Sequence, residues 1–147
     1  MRQALQTRAF ERVASALEAG EQPVVAARAM VGGFSTGRFA TAVKQGTALS
    51  GHGSAGAEIR AAQSKQFVVL TDRRVIFLPQ TFLGGPGKKI LGELPRAQVS
   101  LAEADMGFMS VLRLALAEGD GLSLTFPKQD KKNAEALAAA LQQAPTT

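Results

Sequence analysis

The stretch Phe67-Val68-Val69-Leu70-Thr71-Asp72-Arg73-Arg74-Val75-Ile76-Phe77-Leu78-Pro79 restricts the fold of this chain more than any other. Two runs of β-branched and aromatic residues flank Asp72-Arg73, and Pro79 stops the second before it reaches helical length. The pattern predicts two antiparallel strands joined by a tight two-residue turn. Asp72 is suited to a hydrogen bond from its side chain to the local backbone. The turn is neither Asn-Gly nor Asp-Gly, so its type stays open.

Around this hairpin the chain reads in order. Leu5, Ala9, Val13, Ala16 and Leu17 recur at spacings of three and four, which predicts an amphipathic helix within residues 1–20, ended by Gly20 in the left-handed conformation. Its apolar face is expected to pack on the domain, with dimerisation as the alternative. Pro23 opens a first strand over residues 24–31. Residues 32–64 form a long Gly/Ala/Ser-rich insertion, with short helical turns conceivable near Phe39 and over Glu58–Gln63. Further strands are predicted at 66–71, 74–79, 88–94, 97–104, 110–117 and 121–126, giving seven in all. Asp130 is a suitable N-cap for a last helix whose apolar stripe is Ala134, Leu137, Ala138 and Leu141. Lys128, Lys131 and Lys132 sit at its start, where the helix dipole disfavours cations, a weak hint of an anion-facing surface. Residues 144–147 read as a tail, and 22–143 as one domain. At 147 residues the chain can bury a core without staples, and it has no Cys to make any.

Seven strands with short turns followed by one amphipathic helix suggest a curled antiparallel sheet plugged at one open end. The run Phe67–Phe77 resembles the "VVTDRRLIF" signature of bacterial pleckstrin-homology-like domains, as does Leu122-Ser123-Leu124-Thr125-Phe126-Pro127 leading into the helix. The resemblance covers residues 22–143. It implies a mainly β fold, a seven-stranded barrel or sandwich capped by the C-terminal helix, here with an extra N-terminal helix. It also implies binding and assembly roles and no catalysis. Two features depart from that pattern: the long connection after the first strand and the preceding helix. Members that bind inositol phosphates cluster Lys and Arg on the first two strands and their loop. Here Arg28, Arg38, Lys44, Arg60 and Lys65 are spread out, so no such site is carried over.

Catalytic patterns are weak. His52 is the only histidine and has no second ligand near it in sequence. Gly51-His52-Gly53-Ser54-Ala55-Gly56 lacks the strand and helix of a nucleophile elbow. Gly84-Gly85-Pro86-Gly87-Lys88-Lys89 fails as a phosphate loop, because Phe82 stands where the first glycine belongs and Lys89 where Ser or Thr does. Glu103/Asp105 and Glu118/Asp120 read as solvated turn carboxylates. No enzyme, metal or cofactor is expected. The formal charge of +5 concentrates between Gln22 and Lys65, where five bases meet one acid. Near an anionic bilayer each base contributes ~1 kcal/mol, which makes Arg28, Phe34, Arg38, Phe39 and Lys44 the candidate binding residues. The sequence therefore supports a non-catalytic module that binds protein or itself, with peripheral binding to anionic membrane or lipid headgroups through residues 28–65 as the alternative. Without Tyr or Trp, nucleic acid ranks last. With neither a signal peptide nor an apolar run near spanning length, the expected compartment is the cytoplasm.

Overall fold

The computed structural model describes residues 3–35, 65–117 and 120–142. Helix α1 (Gln3–Ala14) precedes strands β1 (Pro23–Ser35), β2 (Lys65–Thr71), β3 (Arg74–Pro79), β4 (Gly92–Pro95), β5 (Val99–Met106), β6 (Ser110–Leu116) and β7 (Asp120–Phe126). Helix α2 (Lys131–Leu141) closes the described chain. The seven strands form one antiparallel sheet in the order β4-β3-β2-β1-β7-β6-β5. The expected strands and both helices are present.

Curvature follows from connectivity. β4 and β5 are the two edges of the sheet, yet only the 3-10 turn Arg96–Gln98 separates them in sequence. Four peptide steps reach at most about 14 Å, whereas the edges of a flat seven-stranded sheet stand roughly 29 Å apart. The sheet must curl until its edges approach. It does not close into a barrel, because β4 and β5 are not paired with each other. Strand β1 serves both halves, pairing with β2 over Pro23–Met30 and with β7 over Met30–Ser35.

The inside of the curl holds Val25, Ala27, Ala29 and Val31 of β1, Val68 and Leu70 of β2, Phe77 of β3, and Leu112, Leu124 and Phe126 of β6 and β7. Ala134, Leu137, Ala138 and Leu141 of α2 fill the same core. A second, smaller cluster lies on the opposite face, where Ala9 and Val13 of α1 cover Ala26, Phe67, Val69, Ile76 and Leu78. Strands β2 and β3 are therefore buried on both faces, which explains their unbroken apolar runs. Strands β6 and β7 alternate because only one of their faces is covered.

Several boundaries differ from the sequence reading. Helix α1 stops at Ala14, not near Gly20, because Ala16 and Leu17 turn back onto Val13 and Ala14 and Glu21 captures the Glu18 N–H. Gly20 does adopt φ +81°, but six residues beyond the helix. Strand β1 runs on through Gly32 and Gly33 to Ser35, held by β7, so the first four residues of the expected insertion belong to the sheet. Residues 88–91 are not strand; only Gly92–Pro95 pair with β3. Asp130 holds the N-cap position of α2 but makes no side-chain cap bond, since its carboxylate meets Arg28. At the hairpin the local bonds come from Thr71, whose Oγ1 accepts the N–H groups of Arg73 and Arg74. Asp72 instead accepts the Gln22 N–H, across 50 residues.

Candidate functional site

Two connections leave large apolar side chains in water. In the β3–β4 loop, Phe82 and Leu83 are 102% and 92% exposed. In the β5–β6 turn, Phe108 is 84% exposed and Met109 about half that. Neither display comes from a slack loop. Thr81 donates its N–H and its hydroxyl to the Gly85 carbonyl at 2.7 and 3.0 Å, and Gly84 donates back to Thr81 at 2.9 Å. Gly84 takes φ +92°, and Gly87 approaches Pro79 so closely that a Cβ would lie 2.7 Å from its Cγ. Those two positions require glycine, and the closed ring they permit points Phe82 and Leu83 outward. Across the corner, Asp105 Oδ1 accepts the Gly107 N–H at 3.0 Å and shapes the turn that carries Phe108. Lys128 Nζ stands 5.8 Å from the Phe108 ring centroid, within cation–π range.

Between the two tips lies a cavity of about 300 Å³ lined by Arg28, Met30, Lys65, Gln80, Met109 and Gln129. It occupies the corner at Met30, where β1 passes from its pairing with β2 to its pairing with β7. Lys65 lines this cavity, Lys128 stands by Phe108, and Lys88 and Lys89 directly follow Gly87 in the β3–β4 loop; all four are exposed. The acids there are already engaged: Asp130 is fully buried with its Oδ2 3.3 Å from Arg28 Nε, and Asp105 is bonded to its own turn. Exposed apolar tips ringed by lysines form a surface complementary to an interface that is apolar inside and anionic at its rim.

Of the residues singled out from sequence, Arg28 lies on the outer face of β1, a fifth exposed and paired with Asp130, not in a loop. Phe34 continues β1 opposite Gly121, and its side chain lies outside the described set. Arg38, Phe39 and Lys44 fall outside the described residues, as do His52 and the short helices expected in that segment. The tips at 82–83 and 108–109 were overlooked. Their signal was present: a large apolar side chain inside a turn cluster has no strand alternation to carry it into the core. Of the paired carboxylates, Glu103 is joined to Arg113 across β5 and β6. Among the described residues no group of three or more His, Cys, Asp or Glu converges to hold a metal.

The hairpin arginines have a structural task. Arg74 donates to both oxygens of Glu21 at 2.8 and 2.9 Å, to Glu93 and to the Ala16 carbonyl. Chiefly because of Arg74, the Glu21 carboxyl is lowered from 4.5 to about 2. Comparison with known protein families and with curated proteins finds no match for this chain.

Proposed function

We propose that this chain is a non-catalytic docking module of the pleckstrin-homology-like type, which settles on anionic membrane surfaces through Phe82, Leu83 and Phe108. The observation that carries the reading is the near-complete exposure of these side chains on hydrogen-bonded loops beside Lys65, Lys88, Lys89 and Lys128. The order of seven strands and a capping helix supports the family assignment. The proposed contact is a peripheral one; no helix among the described residues is long and apolar enough to cross a membrane. In a cytoplasmic setting the inner leaflet supplies the anionic partner.

The magnitudes are adequate. Each lysine near an anionic surface contributes ~1 kcal/mol, and a fully buried Phe or Leu roughly 1.5–3 kcal/mol. Four lysines and three such side chains sum to roughly 8–13 kcal/mol, and the cost of immobilising the molecule, ~4 kcal/mol or more, leaves at most ~9 kcal/mol, so binding is micromolar at its strongest. Vesicle flotation tests this. The protein should float with phosphatidylserine-containing vesicles, not with phosphatidylcholine alone, and less at physiological than at low salt. Replacing Phe82 and Leu83 together by Ser should weaken binding by ~10-fold or more without changing the melting temperature, because both side chains are solvent-exposed. Absence of flotation at low salt would overturn the membrane reading and return these tips to the protein-binding alternative.

A further inference from the structure

Beside the apolar tip, α1 presents Arg8 and Arg12 one helical turn apart, and both border a cleft of about 390 Å³ closed by Thr81, Phe82, Leu83 and Pro86. Neither arginine has an ion pair or hydrogen bond to a described residue. Arg12 Nε is also buried without a hydrogen-bond partner. A buried donor on a charged group left without an acceptor is destabilising, and two like charges four apart on a helix repel each other. Glu11 lies between them in sequence, but its side chain is exposed and joined to neither arginine. The loop opposite, Gln80 to Lys89, contains no acid.

The arrangement is also preset. A Cβ on Gly85 would stand 3.4 Å from Arg8 Nη1, so the guanidinium already rests against the ring that Thr81 and Gly85 close. Arg8 is exposed to water and Arg12 only partly buried; two guanidinium groups with one unsatisfied N–H and no counter-charge among the described residues suit an acceptor carrying two negative charges. A carboxylate carries only one. A phosphate monoester carries close to two at neutral pH and offers three acceptor oxygens, which arginine forks engage in pairs.

We infer that Arg8 and Arg12, with the β3–β4 loop, form a binding site for a phosphate monoester, held on a lipid headgroup or on a soluble molecule. The site uses residues other than the lysines assigned to membrane docking, and it stands whether or not that reading holds. A phosphate seated there would satisfy Arg12 Nε and lie beside Phe82 and Leu83 at the edge of the proposed membrane contact.

The test titrates the full chain with glycerol phosphate, followed by amide chemical shifts, and in parallel floats it with vesicles doped with phosphatidic acid. Saturable shifts centred on Arg8, Arg12, Thr81 and Gly85 identify a soluble ligand. Stronger flotation on phosphatidic acid than on phosphatidylserine at matched charge, without those shifts, identifies a lipid one. In either case Arg8→Gln with Arg12→Gln should abolish the effect, Arg12→Lys should weaken it ~10-fold because the fork is lost, and Lys88→Gln with Lys89→Gln should leave the soluble binding intact. Melting curves of each variant confirm folding. Shifts scattered over the surface lysines, an effect that survives the double arginine variant, or no effect in either arm would overturn the inference.

Discussion

The Glu21 side chain is fully enclosed and accepts four hydrogen bonds, from Thr71 Oγ1, from two nitrogens of Arg74 and from the Glu18 N–H. Its carboxyl titrates at about 2 in the folded chain, against 4.5 ordinarily, with the Arg74 hydrogen bonds the largest cause. A depressed carboxyl contributes stability that is complete above the unfolded value and disappears as pH falls through the folded one. The difference corresponds to about 3 kcal/mol. Glu21→Gln should therefore destabilise the protein by about that amount near neutrality, and the gap from wild type should close between pH 4.5 and about 2. Denaturant unfolding at a series of pH values measures it; a gap constant down to pH 2 would show that Glu21 acts by packing alone. None of this was legible beforehand. The turn was legible as a turn, but Thr71 and Asp72 are both competent acceptors, and only the position of Gln22 decides that Asp72 looks outward and Thr71 inward. Local chemistry cannot supply a partner fifty residues away.

Elements were more legible than their ends. Periodicity of 3.6 located α2 and its buried stripe of Ala134, Leu137, Ala138 and Leu141, because that pattern is intrinsic to one segment. What finishes the helix is not intrinsic. Arg96, from the turn between β4 and β5, reaches the carbonyls of Ala140 and Leu141 at 3.1 and 3.0 Å and that of Val99 at 3.1 Å. Helix C-terminal carbonyls lack internal donors, and a cation there also meets the negative end of the dipole. Burial lowers the Arg96 pKa, so the contact is made at a desolvation cost. Arg96→Met should cost ~2–4 kcal/mol and speed amide exchange selectively in the last turn of α2. Arg113→Met, which removes only the exposed pair with Glu103, should cost under ~1 kcal/mol. Equal effects in the two variants would mean that Arg96 does not cap the helix. The same dependence on distant partners explains the strand boundaries. Gly32-Gly33 looks like the beginning of a loop until β7 pairs with it, and Lys89-Ile90-Leu91 looks like strand although the ladder to β3 ends at Gly92, leaving Leu78 and Pro79 paired with β2 alone.

At the scale of the whole molecule, the unbroken runs in β2 and β3 require cover on both faces, and among the described residues the periodic face of α1 provides it on the outer one. The curl was legible from the short turns, whereas the strand order, with β1 beside β7, and the exposed corner were not, because both depend on how the two half-sheets meet at Met30. The two apolar clusters make separate demands. The inner one joins all seven strands to α2, while the outer one depends on Ala9 and Val13 to seal Phe67, Val69, Ile76 and Leu78. Val13→Asp places a carboxylate with no ionic partner in the outer cluster alone, at ~3 kcal/mol or more. Helix α1 should then undock while the inner core stays folded. Limited proteolysis should cut within residues 3–20 and spare the strands of the inner core, and the uncovered face of β2 and β3 should bring concentration-dependent self-association, visible by sedimentation. Ala16→Asp, on an exposed residue past the helix end, should do neither. If Val13→Asp instead unfolds the entire chain in one cooperative step with no resistant fragment, the two clusters are a single folding unit and α1 is integral to the sheet's stability. The undocked outcome would also separate the arginines of α1 from Phe82 and Leu83, so glycerol phosphate should then lose its site while the lysine-ringed tips keep theirs.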